Sequence, residues 1–374
     1  MKIAKATAQY EDWLGGRLRL LPADLRLKHE RMREEPFAFL RATYYRWAQR
    51  FPALCPELAS APAVLAVGDL HVENFGTWRD AEGRLVWGIN DFDEAWQLPY
   101  AHDLVRLVTS AALAALEGHL AVGRETAAEA VLDGYRAALA VRGRPFVLAE
   151  AHPVLRAMAV ARLHEPQRFW DKLRALRPVR GPVPAGARRA LERLLPDPDL
   201  ARRLVHRVAG LGSLGRERYV AVGEWEGGLV AREAKALAPS ACAWAAGRRG
   251  GAIRYAEILE RAVRCRDPFV RVQRRWIVRR LAPDCSRIEL GALPRERDEV
   301  RLLRAMGWET ANVHLGSAKA RTLRKDLARR NRNWLRRAGS VMLDAVREDY
   351  EAWRASGGRA PDGSSAARRS SRRR

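Results

Sequence analysis

Lysine is scarce in this sequence. Of the 68 basic residues among 374, only seven are lysines (Lys2, Lys5, Lys28, Lys172, Lys235, Lys319 and Lys325), which leaves 61 arginines. Acidic residues number only 44, so the chain carries a formal +24. Cysteine is sparse as well: Cys55, Cys242, Cys265 and Cys285 stand far apart with no C-x-x-C pair, which speaks against a zinc ribbon or a redox dithiol. Long apolar runs are missing. The N-terminal stretch MKIAKATAQYEDWLGG has no signal-peptide core, and the longest candidate span, 104–116, is interrupted by Arg106 and too short to cross a bilayer. These absences lead us to expect a reduced, soluble, cytoplasmic protein with no membrane partner.

What is present is a globular composition, 48% hydrophobic, in a chain long enough to favour two lobes over one. A charge of +24 asks for a polyanion, a phosphorylated substrate or nucleic acid. Residues 1–55 read as helical, with Pro36 opening the aromatic-spaced run PFAFLRATYYRWAQRF. A short apolar strand is expected at 64–67, then a hairpin of strands 75–79 and 84–90 around the turn 80–83. Helices follow from 103 to 200, strand and glycine signals return at 208–236, a helix is expected at 252–264, a strand at 275–281 and more helices at 295–355. The low-complexity tail, 356–374, reads as a disordered basic segment; its six arginines against Asp362 hold +5 of the charge.

The first constellation lies directly after the apolar strand. Gly68-Asp-Leu-His-Val-Glu-Asn74 sets Asp69 and Asn74 at the D-x-x-x-x-N spacing of phosphoryl-transfer loops, and Asn90-Asp-Phe-Asp-Glu94 comes shortly after. If strands 75–79 and 84–90 pair, the two ends of the hairpin meet and Asn74 lies beside Asp91. An amide oxygen and a carboxylate there suit a hard divalent cation, while Asp69 points at whatever enters the cleft. The bland alternative makes Asp69 and Asn74 turn caps and Asp91, Asp93 and Glu94 a solvated loop.

The stretch VGDLHVENFG…INDFDEAW…YAHDLVRL resembles the H-G-D-x-H-x-x-N…I-D-F/W…Y-D-L-A signature of aminoglycoside and choline phosphotransferase-type kinases. It is closer still to an uncharacterised kinase-like group, domain-of-unknown-function family 2252. The resemblance implies Asp69 as catalytic base, Asn74 and Asp91 as magnesium ligands, Asp103 as the buried carboxylate bracing the loop and His71 as an orienting group. Val67 departs from the leading histidine of the signature. Asp93 departs from the glycine of Asp-Phe-Gly, which leaves its role as a second metal ligand open.

A second constellation begins at Gly210-Leu-Gly-Ser-Leu-Gly215, a G-x-G-x-x-G match that gains weight from the hairpin after it, strands 219–222 and 228–235 about a turn at 226–228. In kinases such a loop covers the phosphates and a strand lysine contacts them; here Gly210, Gly212, Gly215 and Lys235 take those places. In a chain so rich in arginine, a retained lysine marks a site that suits a compact ammonium. Glu233, on the same strand face, is awkward beside an anion. One glutamate of the following helix is placed to pair with Lys235: the resemblance, which extends through RYAEILERAVRCRDPF, favours Glu257, and the alternatives are Glu260 or both as ordinary surface charges.

The glycine loop precedes the catalytic loop in ordinary kinases and follows it here. A circularly permuted, two-lobed kinase-like α+β fold resolves the order: 1–204 and 291–355 forming the helical lobe, 205–290 the nucleotide lobe, and 356–374 a tail. Segment 297–318 resembles the helix that runs into the catalytic loop, which makes His314 a packing residue. The expected function is an ATP- and Mg2+-dependent phosphotransferase acting on a small-molecule hydroxyl. The alternatives are a nucleotide-binding protein without transfer, a basic nucleic-acid-binding protein, and a metal-dependent hydrolase.

Overall fold

The computed structural model describes residues 1–149, 151–160, 166–285 and 298–358, so most of the basic tail and the stretch 286–297 at the expected 290/291 boundary lie outside the described residues. Its architecture is mixed α+β. Four helices open the chain: Ile3–Gly15, Pro22–Arg31, Pro36–Ala42 and Tyr44–Leu54. Their buried aromatics, among them Tyr10, Phe39 and Trp47, join a single hydrophobic core that continues to Trp353.

Strand Ala63–Ala66 pairs antiparallel with Trp96–Pro99. Between them the chain folds into the hairpin Phe75–Arg79 and Leu85–Ile89, with Phe75 opposite Ile89, and Phe146–Val147 adds a short third strand. Asp80 shapes the turn by accepting from the Glu82 and Arg84 amides and pairing with the Arg84 guanidinium at 2.7 Å. Helices Tyr100–Leu116 and Arg124–Ala140 follow, and Glu299–His314 lies along the second of them. Only glycine fits at that crossing: a Cβ on Gly134 would run into the Arg304 carbonyl, and one on Gly307 into that of Val131. The last helix, Trp334–Ala355, returns to the beginning of the chain, where Asp349 pairs with Arg46 at 2.9 Å and the Tyr350 hydroxyl donates to the carbonyl oxygens of Arg33 and Glu34.

The remaining strands make one five-stranded antiparallel sheet in the order Arg202–His206, Arg218–Trp225, Gly228–Ala236, Trp276–Leu281, Arg271–Gln273. The expected turn is a two-residue one, Glu226 and Gly227 both at positive φ (47° and 79°), with Trp225 opposite Gly228. Alternation gives the sheet two different faces. Tyr219, Ala221, Ala234 and Ala236 join the main core, whereas Val220, Val222, Ala231 and Leu281 pack against Leu173 of helix Pro166–Arg174. The helix expected over 252–264 is only Tyr255–Arg261, because the backbone turns extended at Ala262 and Gly250-Gly251 precede it. Among the described residues no helix is long and apolar enough to cross a membrane.

Candidate functional site

The loop after strand Ala63–Ala66 turns at Gly68, whose φ of 81° and close approach to the Glu94 carbonyl leave no room for a side chain. Asp103 holds it from the helix Tyr100–Leu116: its carboxylate accepts from the Val67 and Gly68 amides at 2.6 and 3.0 Å. His314 Nε2 lies 3.1 Å from the same carboxylate, and His314 Nδ1 lies 2.9 Å from the Tyr135 hydroxyl, all of them buried. Burial alone would raise the Asp103 pKa, but hydrogen bonds from His102 and His314 outweigh it and hold the carboxyl well below the usual range. His314 therefore packs and braces, and the charge on Asp103 is fixed under the loop.

Asp69 emerges from that loop onto Arg106, whose Nε donates to Oδ1 at 2.9 Å and whose Nη2 donates to the same oxygen and to the Leu40 carbonyl. Arg106 is itself fully buried against the rings of Tyr44 and Trp47. The hairpin register brings its two ends together as the spacing requires: the Asn74 side-chain amide donates to the Asp91 carbonyl at 3.0 Å and the Asp69 carbonyl at 3.3 Å. Those two bonds orient the amide and leave Asn74 Oδ1 buried with no hydrogen-bond partner among the described residues. His71 is buried beside Phe37 and lines the same cleft.

Lys235 reaches this group across 144 residues of sequence: Nζ lies 3.1 Å from both oxygens of Asp91 and 2.7 Å from Asp93 Oδ1. The ammonium side chain is 1% exposed and the Asp91 carboxylate 23%. Burial lowers the Lys235 pKa against the pull of Asp91 and Asp93, and burial together with Asp91 raises that of Asp93. Glu257 does not pair with Lys235. It binds Arg254 at 2.7 Å and Arg261 at 3.3 Å on its own helix, while Tyr255 and Ile258 form the buried face. Glu260 is exposed and does not meet Lys235 either. The lysine's acidic partners are the aspartates of the 90–94 segment.

Gly210 and Gly212 line the cleft above Asp69, in a 3-10 turn at Leu211–Ser213. A Cβ on Gly212 would lie 3.3 Å from Asp69 Oδ2 and 3.0 Å from the Arg41 carbonyl, so the segment rests almost on the carboxylate. Gly215 lies outside the cleft: at φ 93° it abuts Leu25, and its carbonyl accepts from the Leu21 amide at 2.8 Å. The free space in the cleft is about 50 Å³, room for a few waters or ions and well below the size of an organic-ligand pocket.

Three cations here escaped the sequence reading. Arg216 lies 3.4 Å from Asp93 and 3.2 Å from Glu94, tying the end of the glycine segment to the Asp-Phe-Asp-Glu run. Glu94 also accepts from the Ala241 amide at 2.6 Å, and burial pushes its carboxyl up to about 7 against the opposing charge of Arg216. Lys28 is buried in the cleft wall with Nζ 3.5 Å from the Gly212 carbonyl, its pKa lowered to about 8 by burial. Lysine scarcity, the signal that singled out Lys235, applies equally to Lys28. Arg106 had only its three-residue spacing from Asp103 to mark it, and Arg216 only its place next to Gly215.

The donor types suit a hard divalent cation: an orphaned amide oxygen on Asn74 and the carboxylates of Asp91 and Asp93 are all oxygen, and the three residues line one cleft. No curated protein and no solved structure matches the chain. Over residues 19–172, which include Asp69, Asn74, Asp91 and Asp103 but neither the glycine segment nor Lys235, the chain is similar to the family described as an uncharacterized protein conserved in bacteria (DUF2252).

Proposed function

We propose that this protein is an ATP- and magnesium-dependent phosphotransferase of two-lobed, circularly permuted kinase-like fold, acting on a hydroxyl of a small molecule. One observation carries the reading: Lys235 on the central strand of the sheet pairs with Asp91 and Asp93 beside Asn74, while the glycine segment of the same sheet covers Asp69. The element order supports the permutation. The Ser317 hydroxyl, just beyond helix Glu299–His314, accepts from the Leu65 amide at 2.7 Å, so that helix ends beside the strand leading into the Asp69 loop without being joined to it.

Phosphoryl transfer is mostly positioning and charge neutralisation. Asn74, Asp91 and Asp93 would hold magnesium, which when bound neutralises phosphate charge. Asp69, steadied by Arg106, accepts the proton of the acceptor hydroxyl as its oxygen bonds to the γ-phosphorus and the bond to the ADP oxygen breaks. Lys235 exchanges part of its pairing with the aspartates for the phosphates, and the backbone amides of 210–213 cover them. In a metabolite extract supplied with isotope-labelled ATP, the wild-type protein yields a labelled product by mass spectrometry. Asp69→Asn and Asp91→Ala lose turnover by about a thousandfold or more with circular dichroism unchanged; unaltered turnover in either variant overturns the reading. Nucleotide binding without transfer is the alternative, and ATP binding with no labelled product is its signature.

A further inference from the structure

Beside the 75–89 hairpin lies a larger cavity, about 570 Å³, bounded by the hairpin, helix Tyr255–Arg261 and strands Arg271–Gln273 and Trp276–Leu281. Pockets for organic ligands span about 300–1,000 Å³, so it exceeds the needs of an inorganic ion. Five arginines line it (264, 266, 271, 279 and 280) against two acids, Glu260 and Asp267.

These arginines are poorly matched. Arg264 is stacked on Trp78 at 4.5 Å and donates from Nη1 to the Ile89 carbonyl, but it has no ion-pair partner among the described residues. Arg266 and Arg271, exposed at the rim, have none there either. Arg279 pairs with Glu233 at 3.5 Å, a carboxylate it shares with Arg207 and Arg218, and Arg280 reaches Asp284 at 3.8 Å. Asn90, Arg264 and Arg280 each keep a buried polar atom, Oδ1, Nε and Nε, with no hydrogen-bond partner among the described residues. Unmet buried polar groups, here two guanidinium N–H donors and one amide-oxygen acceptor, are costly, and each calls for a partner.

We infer that this cavity is a second binding site, for a phosphate monoester of a small organic molecule. Guanidinium forks match phosphate oxygens two at a time, and the space beyond them is sized for the organic part. The cavity is a concave space and not a surface stripe, which favours a small ester over a nucleic-acid backbone. It also adjoins the acidic cluster: Asn90 precedes Asp91, and the Tyr255 hydroxyl in its wall donates to the Asn90 carbonyl at 3.3 Å. The inference stands without the phosphotransfer reading, since it concerns binding alone.

Isothermal titration of the full chain with adenosine 5′-monophosphate, glucose 6-phosphate, their unphosphorylated parents and inorganic phosphate tests it. The expected result is saturable binding of at least one ester, at least about tenfold tighter than its parent and than inorganic phosphate. In the double variant Arg266→Ala/Arg271→Ala, whose sites are exposed, affinity falls by about tenfold or more with the circular dichroism spectrum kept. Asp91→Ala, in the other cleft, keeps the ester affinity within about twofold. Which ester binds distinguishes a nucleotide from a sugar phosphate. Absence of saturable binding, equal binding of parent or inorganic phosphate, indifference to the double variant, or loss in Asp91→Ala each overturns the proposal.

Discussion

Glu233 and Lys235 stand two residues apart on one face of one strand, and each is buried among charges of the opposite sign. Lys235 has Asp91 and Asp93. Glu233 has Arg218 at 2.7 Å, Arg207 at 2.6 Å and Arg279 at 3.5 Å. In the sequence a glutamate on the face of Lys235 is awkward for an anion site; in the fold it is taken up by those three guanidiniums. The boundary between an acidic and a basic field thus runs across the strand between two successive side chains of the same face. Burial alone would raise the Glu233 pKa, yet Arg218, Arg207 and Arg279 outweigh it and hold the carboxyl well below the carboxylate range.

Breaking the basic side of this pair has the larger expected effect. Glu233→Gln leaves three arginines without their shared counterion and lowers unfolding stability by about 3–5 kcal/mol, measurable by urea denaturation. Lys235→Met removes the amine from a cluster open to water through Asp91, and the loss is smaller, about 2 kcal/mol. That variant sharpens the comparison because its two aspartates are left without the ammonium. Added Mg2+ should raise its melting temperature more than that of the wild type, and an equal response would mean that the aspartates and Asn74 do not form a cation site.

The smallest effect is in pH dependence and concerns Glu309, a buried acid with no ion-pair partner among the described residues. It accepts from the Ile89 amide at 3.3 Å and from Asn312 at 2.8 Å, and burial, opposed by Arg264, pushes its carboxyl up to about 7 from 4.5. The folded protein therefore holds a proton that the unfolded chain releases. Stability from Glu309 is present below about pH 4.5 and is lost as pH rises through about 7. Glu309→Gln should flatten the stability profile between about pH 5 and pH 8 by on the order of 1–2 kcal/mol. Glu233 behaves oppositely, its contribution being present above about pH 4.5 and lost only in strong acid, so Glu233→Gln should leave the shape of that profile alone.

The Asp69 to Asp91 geometry was legible because it is local: one acid, one amide and one hairpin whose register forces its two ends together. Lys235 was legible by rarity. Arg106 and Arg216 were hidden by abundance, since among 61 arginines no single one stands out. The expected pairing of Glu257 failed for a reason of helix phase: Tyr255 and Ile258 take the buried face of a short helix, and their intervening neighbours turn to arginines along its surface. The arginine-lined cavity was invisible for a different reason. Its walls come from residues 77–90 and 255–285, and no spacing within either segment announces that they meet.

The clasp between Asp103 and His314 has a consequence for the order in which the protein is made. The loop bearing Asp69 leaves the ribosome early, but the histidine that completes its support is translated more than two hundred residues later. At about 5–20 residues per second, the loop waits on the order of ten seconds or more before its foundation is finished. A nascent chain arrested within that interval carries the whole acidic cluster and hairpin without the helix that steadies them. Competence of the first third of the protein is therefore timed by the synthesis of its last.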